Sequence, residues 1–389
     1  MSLAKNIEFL RHLPRLDKIA RLRRVHRSSD PGGAQSPLIE TPDFGSNPGN
    51  LRMFSFVPEG IPEKSGLVVV LHGCTQNPRG YDAGAGWSTV AERYGFALVM
   101  PEQTTSNNAN GCFNWFNSED ITRGSGEARS IRQMIDHMVR KHDIDTKRIF
   151  VTGLSAGGAM TAVMLATYPE VFAGGAIIAG LPYGVANNVK EALRGMFQPS
   201  YRSRSELGDL VRRASPHQGP WPRLSIWHGS ADRTVSPINA HEIIKQWLDV
   251  HGLPLSSMSE DMIDGHPRKT WRDSEGQTVV ESITICSMAH GTPLGAAETG
   301  ERFGGGGAYL IEAGISSSYH IAKFFGLIGK IHKARETSVT THAAAEEARG
   351  IPRKQSGLAR YGSRSRKGNT GIDINAVITR ALTAAGLMK

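Results

Sequence analysis

The chain has 389 residues, three of them cysteines, and a formal net charge of +9. So few cysteines exclude a disulfide-dense scaffold, and without a run of 18 apolar residues we expect no bilayer-spanning helix. The positive charge lies in the flanks: residues 1–30, 330–367 and 368–389 carry excesses of five, seven and one, which leaves −4 for residues 31–329. We therefore expect no nucleic-acid partner for the body of the chain.

Residues 1–43 form a predicted basic N-terminal extension. Within residues 1–30, apolar residues recur at three-residue intervals among arginines, and Pro14 interrupts the pattern. Such a segment can contact an anionic surface, either a membrane or a granule, or it can pack its apolar stripe on the folded domain. It contains no apolar stretch of seven residues, so as written it does not predict a secretory signal.

The main domain, residues 44–330, alternates strand-like and helix-like segments. The predicted strands are 51–56, 67–71, 97–100, 148–152, 174–178, 224–227 and 279–285, and the predicted helices are 87–94, 126–141, 240–250 and 317–327. This alternation indicates an α/β fold with a mostly parallel, doubly wound sheet flanked by helices. Residues 268–272 and 279–285 are predicted to form a hairpin, and four glycines at 304–307 predict a flexible or tight loop.

Three further segments have their own predictions. Residues 183–223 are polar and rich in arginine, which is typical of either a helical cap over a site or a surface insertion. Residues 331–371 have the composition of a flexible basic linker. Residues 372–389 recover a helical pattern and are predicted to form a C-terminal helix that docks on the domain or binds a partner.

The most informative motif is Gly153-Leu154-Ser155-Ala156-Gly157, which follows a predicted strand and precedes an apolar, helix-like segment. In this setting a G-x-S-x-G motif places its serine on a sharp turn with the hydroxyl exposed above the sheet. The flanking glycines are expected where a Cβ would strike the neighbouring strand or helix. The pattern predicts that Ser155 is a nucleophile.

A serine nucleophile needs a base and a group that orients the base, and in α/β-hydrolases these follow in the order acid, then histidine. Asp232 lies in a loop just after strand 224–227, and His290 lies in a loop just after strand 279–285. Loops at the carboxyl ends of parallel strands carry the functional groups of open sheets. We therefore predict a triad of Ser155, Asp232 and His290, and interpret His228, at a strand end, as structural.

Two backbone N–H groups are predicted to hold the oxyanion of the tetrahedral intermediate. One is that of Ala156, directly after the nucleophile, and the other is that of Cys74, in the loop after strand 67–71. His72, at the end of that buried strand, is interpreted as structural.

Substrate contacts are predicted for the side chains of Gln76, Asn114 and Trp115. An exposed Trp115 ring would give an apolar platform for an acyl chain or a sugar, and burial in the core is the competing interpretation.

Several blocks together resemble the esterase/poly(3-hydroxybutyrate) depolymerase family, over roughly residues 44–327. They are 71–76 (LHGCTQ), 101–103 (PEQ), 111–116 (GCFNWF), 153–160 (GLSAGGAM), 168–173 (YPEVFA), 179–184 (AGLPYG) and 290–293 (HGTP). The resemblance implies an α/β-hydrolase fold with Ser155, Asp232 and His290 as the triad. In the same resemblance, Cys74 and Cys112 match the family's paired cysteines, which implies a disulfide between them; two reduced thiols are the alternative.

The resemblance implies a serine esterase that needs no metal or organic cofactor. The expected substrate is a poly- or oligo(3-hydroxybutyrate) or another 3-hydroxyalkanoate, and feruloyl or acetylxylan-type carbohydrate esters are the alternative. A granule- or membrane-binding protein with vestigial activity is the alternative from a different class, suggested by residues 1–30. The family association implies an extracellular protein, whereas the missing leader leaves a cytoplasmic location open.

Overall fold

The computed structural model describes residues 36–199, 201–329 and 331–332. The predicted surface-binding segment 1–30, the linker beyond residue 332 and the predicted helix 372–389 lie outside these residues. None of the helices in the described ranges has the length and hydropathy that crossing a bilayer requires.

A ten-stranded sheet forms the centre of the described chain, in the order β1-β2-β4-β3-β5-β6-β7-β10-β9-β8. Its strands are β1 (Ile39–Thr41), β2 (Arg52–Phe56), β3 (Ser65–Leu71), β4 (Ala97–Glu102), β5 (Ile144–Leu154), β6 (Gly174–Ile178), β7 (Arg223–Gly229), β8 (Ser259–Ile263), β9 (His266–Arg272) and β10 (Thr278–Ile285). Six central strands pair in parallel, in the order β4-β3-β5-β6-β7-β10. The pairs towards both edges are antiparallel: β1 with β2, β2 with β4, β10 with β9 and β9 with β8. This is the predicted mostly parallel sheet, and it includes the predicted hairpin.

The described residues also form nine α-helices and a small two-stranded sheet. The helices are α1 (Pro78–Ala85), α2 (Trp87–Tyr94), α3 (Ser118–Ile121), α4 (Gly126–Lys141), α5 (Ala156–Thr167), α6 (Val189–Phe197), α7 (Arg204–Arg213), α8 (Ile238–Val250) and α9 (Ser317–Phe324). The small sheet pairs β11 (Thr292–Leu294) and β12 (Leu310–Glu312) in parallel. α2 and α4 have the predicted bounds, whereas α8 begins two residues earlier than predicted.

Helices cover both faces of the large sheet. Along β3, Leu67, Val69 and Leu71 point into one core, and Val68 and Val70 point into the other, as the two-residue period of a strand requires. The first core is covered by α4 to α8, and the second by α1, α2 and α9. Because β3 is buried on both faces, it is apolar along nearly its whole length.

The N-terminal boundary of the domain differs from the prediction. β1 pairs with β2 although residues 39–41 fall within the predicted extension 1–43, and Leu38 is buried in the core. The short, largely exposed strand carries no clear alternation of apolar residues, so its pairing depends on β2.

Candidate active site

Ser155 lies on the sharp turn between β5 and α5. Its φ of +57° and ψ of −116° are strained for a residue with a side chain. A Cβ on Gly157 would lie 2.3 Å from the Leu71 carbonyl oxygen, and one on Gly153 would lie 2.4 Å from the Gly157 carbonyl oxygen. The Ser155 backbone N–H donates to the Ile178 carbonyl at 2.9 Å. Close packing of strand, turn and helix therefore requires both glycines and fixes the serine backbone.

Asp232 and His290 form a buried pair at the carboxyl edge of the sheet. They follow β7 and β10, which are adjacent parallel strands. Asp232 Oδ2 lies 2.7 Å from His290 Nδ1, so the ring donates through Nδ1–H and presents Nε2 as an acceptor. Ser155 leaves β5 at the same edge, although among the described residues no hydrogen bond joins its hydroxyl to His290. Such bonds are often long before substrate binds.

Asp232 is held by further donors. Its Oδ1 accepts the backbone N–H groups of Thr234 and Val235 at 2.8 and 2.9 Å. His228 Nε2 lies 2.9 Å from the Val235 carbonyl oxygen and 3.4 Å from Asp232 Oδ2. Because a carbonyl only accepts, Nε2 of His228 carries the proton. The sequence interpretation of His228 as purely structural missed this contact, for which the spacing of four residues is the available signal.

The charge of Asp232 follows from these contacts. Burial alone raises the pKa of its carboxyl, but hydrogen bonds from His228 and His290 outweigh that effect and lower the pKa well below its usual value. Asp232 is therefore ionised throughout the neutral range and can stabilise a positively charged His290 imidazole.

The predicted oxyanion donors have free N–H groups. Within the described ranges, neither the Cys74 nor the Ala156 backbone N–H makes a hydrogen bond. For Ala156 this is expected, because the first N–H groups of a helix have no partner within it. Cys74 is joined to Cys112 by a disulfide, and Thr75 donates through its N–H to the Asn110 carbonyl at 2.7 Å. The loop that carries the Cys74 N–H is thus attached to residues 110–112.

A buried polar network of side chains stabilises the loop that carries the Cys74 N–H. His72 Nδ1 donates to the Gly73 carbonyl at 2.8 Å, and Nε2 accepts the Gln103 N–H at 3.2 Å. Burial lowers the pKa of His72 to about 4, so the ring is neutral, in agreement with a structural role. The Gln103 side chain donates to Cys112 O and to Glu127, and burial raises the pKa of Glu127 to about 8.

The three predicted substrate-binding side chains are engaged within the protein. Trp115 is 7% exposed and packs edge to face on Phe116, so of its two interpretations burial in the core is correct and the exposed platform is wrong. The Asn114 amide donates to Glu127 at 2.8 Å and accepts from Asn108 at 3.0 Å. Gln76 accepts the Gly73 N–H and donates to Ala308 O, both at 2.8 Å. Polar groups in a tight loop satisfy one another, and these amides stabilise the loop's conformation.

Residues 183–223 contain two helices, α6 and α7, which both a cap over the site and a surface insertion allow, so the cap stays a prediction. The end of α6 contacts the loop after Asp232: the Ser236 N–H donates to the Met196 carbonyl at 2.7 Å. This contact places the end of α6 beside the loop that carries Asp232.

Comparisons with known proteins identify the family of the chain. The family model described as Esterase PHB depolymerase matches residues 52–259. Poly(3-hydroxyalkanoate) depolymerase C of Paucimonas lemoignei is 46% identical over 293 residues, which are 75% of this chain and 70% of the relative. Probable acetylxylan esterase A of Aspergillus fumigatus is 32% identical over 274 residues, 69% of this chain and 73% of the relative. The solved acetyl xylan esterase from Aspergillus awamori has a TM-score of 0.64 and 26% identity, and the match covers 75% of this chain and all of that one. The chain therefore belongs to the esterase PHB depolymerase family and is a carboxylic ester hydrolase with an α/β-hydrolase fold.

Proposed function

We propose that this chain hydrolyses the ester bonds of 3-hydroxyalkanoates, above all poly- or oligo(3-hydroxybutyrate), through an acyl-enzyme on Ser155. The hydrogen bond between His290 Nδ1 and Asp232 Oδ2 carries the proposal, because it orients a base at the sheet edge from which the strained Ser155 turn projects. The substrate assignment is supported by the 46% identity to a poly(3-hydroxyalkanoate) depolymerase.

The reaction has two halves. His290 Nε2 removes the Ser155 proton as Oγ attacks the ester carbonyl, and the N–H groups of Cys74 and Ala156 donate to the oxyanion that forms. His290 then gives the proton to the leaving alcohol as the ester C–O bond breaks. Water, deprotonated by the same Nε2, attacks the acyl-enzyme, and the proton returns to Ser155 as the acid leaves. Asp232 stabilises the imidazolium in both halves.

An acetyl ester of a polysaccharide is the second candidate substrate, since two of the compared proteins are named as acetylxylan esterases. The test is a panel of poly(3-hydroxybutyrate), its short oligomers, acetylated xylan and feruloylated oligosaccharide. We expect preferential release of 3-hydroxybutyrate and its oligomers. Inertness towards the polyester, with rapid release of acetate or ferulate, would overturn the proposed substrate while leaving the esterase chemistry intact.

We further infer an extracellular or otherwise oxidising location. The Cys74–Cys112 disulfide supports this, because disulfides persist where thiols are not kept reduced. The alternative of a surface-binding protein with vestigial activity is disfavoured by the Asp232–His290 hydrogen bond, which binding alone does not need. Inactivity on every ester of the panel, with retained binding to polyester granules, would support that alternative.

A further inference from the structure

We propose that Tyr309 forms the wall of the leaving-alcohol subsite and donates a hydrogen bond to the carbonyl of the next ester unit. The inference rests on the proposed function and specifies how the same site distinguishes a polyester from a simple ester. It also gives a role to the four glycines at 304–307, which the sequence predicts to form a flexible or tight loop.

Residues 303–310, here called the glycine strap, are attached to both sides of the site. On the oxyanion side, Gln76 Nε2 donates to the Ala308 carbonyl at 2.8 Å while its Oε1 holds the Gly73 N–H. On the base side, Thr292, two residues after His290, donates its N–H to the Tyr309 carbonyl at 2.8 Å. The strap thus joins the loop that bears the Cys74 N–H to the loop that bears His290.

The strap also packs closely on α1. The Gly305 N–H donates to the Ala83 carbonyl at 3.1 Å, and a Cβ on Gly86 would lie 2.0 Å from the Phe303 carbonyl oxygen. A Cβ on Gly304 of the strap would likewise lie 2.2 Å from the Gly84 carbonyl oxygen of α1, so this close approach of two backbones requires glycine at 86 and 304. The strap is therefore a built part of the site rather than an unattached loop.

Tyr309 is the large side chain that the strap places beside the base. Its ring centroid lies 6.0 Å from that of His290, with an interplanar angle of 77°. Its φ of +61° is unfavourable for an aromatic residue, and such strain persists only where the surroundings enforce it. The side chain is half-buried, and within the described part of the chain its hydroxyl makes no hydrogen bond. A partly buried phenol without a partner has a donor available for a ligand.

The chemistry of the reaction identifies what this donor meets. His290 must give its proton to the leaving alcohol, so that alcohol passes beside the imidazole and hence beside Tyr309. In a 3-hydroxyalkanoate chain, the carbon that bears the leaving oxygen is separated by one CH₂ from a second ester carbonyl. That carbonyl is an acceptor that a simple alkyl alcohol lacks, and the Tyr309 hydroxyl can donate to it.

The test compares two esters with the same acyl group. Ethyl 3-hydroxybutyrate releases ethanol, whereas the methyl ester of the 3-hydroxybutyrate dimer releases methyl 3-hydroxybutyrate when its internal bond is cleaved. We would measure kcat/KM for both releases by chromatography, in wild type, Tyr309→Phe, Tyr309→Ala and the control Tyr94→Phe. Tyr94 is also half-buried but packs on Tyr319, in the second core.

We expect Tyr309→Phe to lower the dimer-to-ethyl ratio of kcat/KM by roughly five- to tenfold, the effect of one lost hydrogen bond. Tyr309→Ala should lower the ratio further, and Tyr94→Phe should keep the wild-type ratio. An unchanged ratio in Tyr309→Phe, or an equal loss on both esters, would overturn the Tyr309 assignment while the esterase proposal stood. A wild type that cleaves neither ester but deacetylates xylan would instead overturn the proposed substrate, and the inference with it.

Discussion

His228 Nε2 lies 3.4 Å from Asp232 Oδ2, on the same carboxylate oxygen that accepts the His290 Nδ1–H at 2.7 Å. The proposed triad acid therefore has two histidine neighbours, of which only His290 carries out proton transfer in the mechanism. His228 acts as a positioning residue: it is buried, its Nε2–H donates to the Val235 carbonyl, and the same nitrogen contacts Asp232 Oδ2.

Replacement of His228 by leucine tests this role. Without the His228 donor, the Asp232 carboxylate interacts more strongly with a protonated His290. Protonated His290 is then favoured up to a higher pH, so we expect the acid limb of the kcat/KM profile to move to higher pH. We also expect kcat to fall roughly tenfold or more, because a hydrogen bond to a charged group is lost. His228→Gln, which keeps an N–H donor, should restore most of the loss. A lower Tm in both variants with an unchanged pH profile would show a structural role only.

Replacement of the proposed triad residues gives the strongest expected effects. Asp232→Asn should lower kcat by about 10⁴-fold, because the asparagine amide favours the wrong His290 tautomer.

Ser155→Ala should abolish acyl-enzyme formation, measured as the loss of the burst of p-nitrophenol from p-nitrophenyl acetate. Ser215→Ala, in the segment after α7, is a matched control. Equal rates for wild type and Ser155→Ala would contradict the proposed nucleophile.

We expect the Cys74–Cys112 disulfide to stabilise the fold and to hold the loop of the proposed oxyanion donor, the Cys74 N–H. Cys74 and Cys112 are 38 positions apart, and closing a loop of this length stabilises the folded state by about 3–4 kcal/mol. Cys112→Ser should lower the free energy of unfolding in urea by about this amount and reduce kcat, since the Cys74 N–H loses an attachment. Cys286→Ser, at the exposed free cysteine, is the control. Mass mapping without reductant that finds free thiols at 74 and 112 would contradict the bridge.

The buried Glu127 predicts a pH dependence of stability. Burial raises the pKa of its carboxyl from 4.5 to about 8, so the folded protein retains a proton that the unfolded chain releases. This contribution is fully present below about pH 4.5 and is lost as the pH rises through 8. The glutamine side chain of the Glu127→Gln variant cannot ionise, so its stability lacks this pH dependence. Between pH 5 and 8.5, the Tm of wild type should therefore fall relative to that of the variant. Parallel Tm curves would contradict the raised pKa.

Some features of the site could be predicted because they depend on local spacing. The turn that holds Ser155 follows from glycines two residues away on each side, and a strand followed by a loop predicts where Asp232 and His290 lie. α2 and α4 were predictable to the residue because each has an amphipathic pattern bounded by a glycine or a basic end.

The edges of the fold were less predictable. Four strands, β1, β8, β11 and β12, have no clear sequence pattern, because they are short or exposed and their backbone pairing depends on a neighbouring strand. β8, for example, is almost wholly exposed and forms because β9 offers a free edge.

The sequence alone indicated the fold class, the esterase chemistry and the three residues proposed to carry it, since these follow from the order of strands and helices along the chain and from short local motifs. The tertiary structure decided which candidate substrate-binding side chains are already engaged within the protein. Gln76 finds its partner at Ala308, 232 positions away, and Asn114 is occupied by Glu127. Tyr309 reaches His290 only because the glycine strap folds back across the site. Partners so far apart in the chain leave no local pattern, because their contact depends on how the loops pack over the sheet edge.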